Sequence, residues 1–68
     1  MTPMSDPRPL PDVLTDWLDS HGLTPYAAAP ILGADQSAIR RWQDGQRQCQ
    51  QERGVRATMT LYDQGWRP

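Results

Sequence analysis

Apolar residues recur along this chain at the spacing of helices, in four groups parted by short breaks. In the first, Val13, Leu14, Trp17, Leu18 and His21 share one stripe, Asp12, Asp16 and Asp19 fall largely outside it, and Gly22 ends the run. The second opens at Thr24, whose hydroxyl can cap a helix, followed by Pro25 at a position where a missing backbone donor costs nothing. Ala27, Ala28, Ala29, Ile31 and Leu32 make this helix apolar on nearly every side, and the alanines let another helix approach closely. Pro30 forfeits the bond to the Tyr26 carbonyl at a cost of roughly 3 kcal/mol, which predicts a short, kinked or partly 3₁₀ second helix. Gly33 supplies the left-handed residue that ends it, and Asp35 offers a second cap, so one helix stops and the next starts within three residues.

From Gln36 onward, Ala38, Ile39 and Trp42 fall on one side at about 100° per residue, while Gln36, Ser37, Arg40 and Arg41 spread over the other. Gly45 is the predicted stop, and the polar stretch QRQCQQERG follows. A fourth helix is predicted from about Gln50 to Gln64, weakened at Gly54 by up to about 1 kcal/mol relative to alanine. Val55, Met59 and Tyr62 line one side of it, with Ala57 and Leu61 well round the cylinder. That second apolar surface, with Trp66, marks Ala57, Leu61 and Trp66 as candidate homodimer contacts; completion of the core by Leu61 is the alternative.

The first eleven residues hold four of the seven prolines, which predicts an extended or disordered arm over residues 1–10 ahead of a domain at 11–66. A minor-groove role for that arm would rest on Arg8 alone, beside Asp6. Sixty-eight residues with 37% apolar content and no Phe make a marginal core, so Trp17, Trp42, Trp66, Tyr26 and Tyr62 carry much of the packing and help from a second copy is expected. No apolar run approaches a membrane span, no signal-peptide pattern appears and the lone Cys49 excludes an intrachain disulfide, which together predict a cytoplasmic protein with no membrane partner.

The net charge of −1 hides an asymmetry: residues 1–35 hold five Asp and one Arg, and residues 36–68 hold six Arg, two Asp and one Glu, for −4 and +3. Every basic residue is arginine, the side chain that pairs bidentately with phosphate and with guanine O6/N7. Catalysis is not expected. His21 and Cys49 are each the sole residue of their type and cannot form a zinc site or a credible nucleophile pair, the three aspartates of helix one read as a solvated face, and the glycines form no phosphate-binding loop. No cofactor or metal is implied.

Leu23, Ala29, Leu32, Gly33, Ile39, Trp42 and Gly45 stand where Cro/C1-type helix-turn-helix repressors of phages and bacteria carry their core and turn residues. The chain resembles that family over about Pro11 to Gln64, with the tight match confined to Leu23–Gly45. Pro25 departs from it, because the family usually has a glutamine there that donates to a phosphate, and Tyr26 or a backbone amide must substitute.

The resemblance implies a small all-α four-helix domain that binds double-stranded DNA as a dimeric repressor, reading half-sites about 34 Å apart and blocking a promoter by occupancy. In that reading Gln36, Ser37 and Arg41 meet base edges and Arg40 is shared between base and phosphate. Arg47, Gln48 and Tyr26 fix register on the backbone. Two other readings use the same fold: a protein-binding module, as an antitoxin or phage-encoded inhibitor, and an excisionase-like architectural factor, which usually carries a β-wing that no alternating run here supplies.

Overall fold

In the computed structural model, which describes all 68 residues, the four apolar groups form four α-helices and no strand. Helix α1 spans Leu10–His21, α2 Pro25–Leu32, α3 Gln36–Asp44 and α4 Glu52–Asp63. The protein is a small all-α four-helix domain, and no helix is long and apolar enough to cross a membrane.

The stripe on α1 is its buried face: Leu10, Val13, Leu14, Trp17 and Leu18 are all buried. Ala28 of α2, Ile39 of α3, Cys49 of the following loop, and Val55 and Met59 of α4 close on it to make the core. Both α1 and α2 pack against α3, and α2 also meets α4. Burial pushes the Cys49 thiol above its ordinary pKa, in keeping with a packing role for that residue.

The turn between α2 and α3 is built as its residues dictate. Thr24 Oγ1 accepts from the Ala27 amide at 3.1 Å, and Gly33 takes φ 65°, a left-handed conformation that lets α2 end while its amide returns to the Ala29 carbonyl. Asp35 stands at the N-cap position of α3 but its side chain makes no capping bond, contrary to the expectation for it. Helix α2 is short, at eight residues, yet remains α-helical through Ala29 and Pro30. Pro30 and Tyr26 are both exposed, so water can reach the carbonyl that the proline leaves without a helical donor.

The N-terminal segment differs most from its sequence reading. Leu10 and Pro11 already belong to the first turn of α1, and residues 1–9 form a strap folded across α4 rather than a loose arm. A turn closes it where the Ser5 and Asp6 amides bond the Thr2 carbonyl. Arg56, buried in α4, then fastens it: Nη1 donates to the Pro3 and Asp6 carbonyls at 2.8 and 2.9 Å, Nη2 to the Arg8 carbonyl at 2.7 Å, and Nε to the Glu52 carboxylate at 3.0 Å. The Met4 amide adds a bond to Thr60 Oγ1 at 3.0 Å. Proline-rich chain cannot pair through its missing amides, but its carbonyls remain acceptors, and a planar guanidinium with five donors can collect several.

A second tie joins the far ends of α1 and α4. Asp63 Oδ1 accepts from Trp17 Nε1 at 2.9 Å and lies 2.6 Å from His21 Nε2, with the Trp17, His21 and Tyr62 rings meeting edge to face. The lone histidine is thus held by Asp63 in addition to its place at a helix C-terminus.

Candidate nucleic-acid interface

Helix α3 presents its polar side as the sequence periodicity requires. Ile39 is fully buried and Ala38 and Trp42 are half-buried, which leaves Gln36, Ser37, Arg40 and Arg41 exposed along the opposite side. Gly45, at φ 74°, turns the chain back so that the Gln46 and Arg47 amides bond the Arg41 carbonyl, and this sets Arg47 and Gln48 beside the C-terminal half of the helix.

Shallow depressions flank α3. One, of about 390 Å³, lies between α2 and the start of α3 and is lined by Tyr26, Ala27, Ala29, Pro30, Asp35 and Gln36. Another, of about 180 Å³, runs between Ala38, Trp42 and the loop residues Arg47, Gln48, Gln50 and Gln51. Helix α3 is thus a polar ridge with Tyr26 on one flank and Arg47 and Gln48 on the other. The Asp35 carboxylate in the first depression opposes an anion there, and Asp44 is a further exposed acid at the end of the ridge.

The charge map is sharper than the sequence count. Of the seven arginines, Arg8 is held by Asp6 and Asp16, Arg56 is buried under the strap, and Arg67 lies 3.9 Å over the Tyr62 ring with its Nη1 on the Tyr62 and Trp66 carbonyls. Arg40, Arg41, Arg47 and Arg53 enter no ion pair and no side-chain hydrogen bond. All four belong to α3, the loop after it and the first turn of α4. Arg56 and Arg67 thus add to the formal charge of the basic half without offering a free cation.

Arg8, the arginine named for the N-terminal segment, is paired on the surface. Its Nη1 meets Asp16 at 2.6 Å and its Nη2 meets Asp6 at 2.9 Å, which holds Arg8 above its usual pKa. The hydrogen bond from the Arg8 side chain brings Asp6 down to about 2.

Tyr26 is 75% exposed and borders the start of α3, next in sequence to Pro25, which offers no amide donor. Of the three candidate interface residues, Ala57 is half-buried, while Leu61 and Trp66 are 48% and 41% exposed, so Leu61 does not complete the core. The sequence reading passed over Arg53. Its signal was available: no acidic residue stands three or four positions away on either side. No family model matches this chain, and no match was found among the curated proteins or the solved structures.

Proposed function

We propose that this chain is a sequence-specific binder of double-stranded DNA that works as a dimeric, Cro/C1-type transcriptional repressor, occluding a promoter by occupancy. The observation that carries the reading is the adjacent pair Arg40 and Arg41, unpaired and exposed on a helix whose other side is core. Two guanidinium groups left without carboxylates, in a chain with eight acidic residues, suit a polyanionic partner.

In this mechanism α3 enters the major groove. Gln36 favours adenine, Arg41 favours guanine through O6 and N7, Ser37 contacts either, and Arg40 bridges base edge and phosphate. Arg47 and Gln48 on one flank and Tyr26 on the other hold the phosphates and fix register. The acidic outer face of α1 points away from the DNA. A second copy supplies the other half-site one helical turn away, about 34 Å.

Fluorescence anisotropy of the chain on DNA upstream of its own gene, at about 50 and 200 mM salt, tests this. Tight binding to one sequence that weakens steeply with salt supports it. Equal affinity for scrambled DNA, or no binding at the lower salt, overturns it.

A second reading keeps the fold and replaces DNA with a protein, as an antitoxin or phage-encoded inhibitor would. It is favoured by Tyr26, whose 75% exposure beside Ala27, Ala29 and Pro30 places an aromatic ring at the edge of an apolar depression. Co-purification of a stoichiometric partner that Tyr26→Ala releases, with no DNA binding, would select it.

A further inference from the structure

We propose that the cleft between α1 and α4 is a peptide site for a turn with proline at its corner, filled here by the chain's own strap and open to such a turn from another protein that displaces it. The proposal takes nothing from the DNA reading. It rests on how the strap is held. Residues 2–5 form a turn with Pro3 at its second position, where the fixed φ of proline suits the bend, and the Thr2 carbonyl accepts from the Ser5 amide at 3.1 Å. The Thr2 and Ser5 hydroxyls, 3.0 Å apart, close the same turn. Pro3 is the only buried residue among the first nine. With Val13 and Trp17 of α1 and Asp63 of α4 it borders a depression of about 210 Å³.

The helices read this turn through its main chain. Arg56 donates to the Pro3, Asp6 and Arg8 carbonyls, and the Thr60 hydroxyl accepts from the Met4 amide while donating to the Arg56 carbonyl at 2.9 Å. The side chains of Thr2, Met4, Ser5 and Pro7 are exposed, and the one strap side chain with a polar partner on a helix is Arg8, on the exposed Asp16. What the cleft recognises is therefore one buried proline and three carbonyls in register. That description fits a class of segments, of which the strap is one member.

The way the strap is attached makes it replaceable. Helix α1 starts at the Pro9 carbonyl, which accepts from the Asp12 and Val13 amides, and this carbonyl lies beyond the last one that Arg56 holds. Residues 1–8 can leave without disturbing that start. With them away, Arg56 keeps only Glu52, and its two Nη groups have no protein acceptor, so an incoming turn regains the same bonds. Tethering gives the strap an effective concentration on the order of millimolar, which an outside segment overcomes by abundance or by further contacts of its own. The strap thus sets the threshold for its own displacement.

NMR of the ¹⁵N-labelled full chain is the test, with an unlabelled, terminally blocked peptide of residues 1–9 as the probe. As the peptide rises from about 0.1 to 20 mM, the Met4, Ser5 and Asp6 amides of the chain are expected to move to unstructured positions while the Arg56 Nε signal stays at its occupied position. A Pro3→Gly full chain, whose own strap is weakened, is expected to reach half occupancy at about tenfold less peptide, with its α3 amides at wild-type positions as proof of folding. A peptide carrying Met4→Ala, Pro7→Ala and Arg8→Ala is expected to act like the native one, and a Pro3→Ala peptide to need about tenfold more. Strap signals that stay put in both chains at the highest peptide concentration overturn the proposal, as does equal potency of the Pro3→Ala peptide. Strap signals that move with the concentration of the chain alone overturn the outside partner in favour of exchange between copies.

Discussion

Replacing Arg56 by methionine keeps most of the side-chain volume while removing the three guanidinium bonds to the strap carbonyls. Hydrogen bonds from a charged donor contribute about 1.5–3 kcal/mol each, so the three carbonyl bonds set a ceiling of about 5–9 kcal/mol. The loss is smaller than that ceiling, because the strap can detach and hydrate its carbonyls. A net loss of about 2–4 kcal/mol is expected, the size seen when a buried hydrogen-bond network is broken, which at about 4–8 °C per kcal/mol for a domain of this size lowers Tm by about 10–30 °C. Urea unfolding followed by tryptophan fluorescence measures it, in a cycle with a chain lacking residues 1–8. Without the strap, Arg56 is uncovered and keeps only the half-exposed Glu52 as a partner, so Arg56→Met then changes stability little. Equal destabilisation by Arg56→Met with and without the strap, within about 0.5 kcal/mol, would refute the reasoning.

Under the proposed DNA reading, Arg41→Ala is expected to cost about 1–3 kcal/mol on the specific site and relax one base position, and unchanged specificity in a base-substitution series removes Arg41 as a reader. Arg47→Ala is expected to weaken binding to all sequences alike and flatten the log–log salt slope by about one unit; an unchanged slope means Arg47 touches no phosphate. Asp6 titrates at about 2 in the folded chain against an ordinary 3.8, so its contribution is present above pH 3.8 and is lost as pH falls through about 2. The carboxyl carbon shift of Asp6, followed by NMR during acid titration, checks this, and a midpoint at the ordinary value would show that Arg8 does not hold it.

The helices were legible because their signals are local. The α1 stripe, the Thr24 cap and the glycines at 33 and 45 act within a turn or two of the chain, and the polar side of α3 follows from the same periodicity. The strap was not legible, since a composition rich in proline speaks only to local conformation, whereas its partner Arg56 lies 48 to 53 residues away. Arg56 itself resembled any other cation of the basic half, because nothing in its neighbours tells burial from exposure. The tie at Asp63 was hidden for the same reason: its acceptor stands 46 and 42 residues from Trp17 and His21. Asp35 shows the converse, a residue of the right type at the right position whose side chain makes no capping bond.

The route of the strap also constrains how the molecule comes together during synthesis. Residues 1–9 are synthesised before α4 and have no docking surface until that helix has emerged and coiled, so their attachment closes a loop of some fifty residues and comes late in the folding of this domain. Until that stage the nascent chain carries an undocked strap and, once α4 has formed, an uncovered arginine.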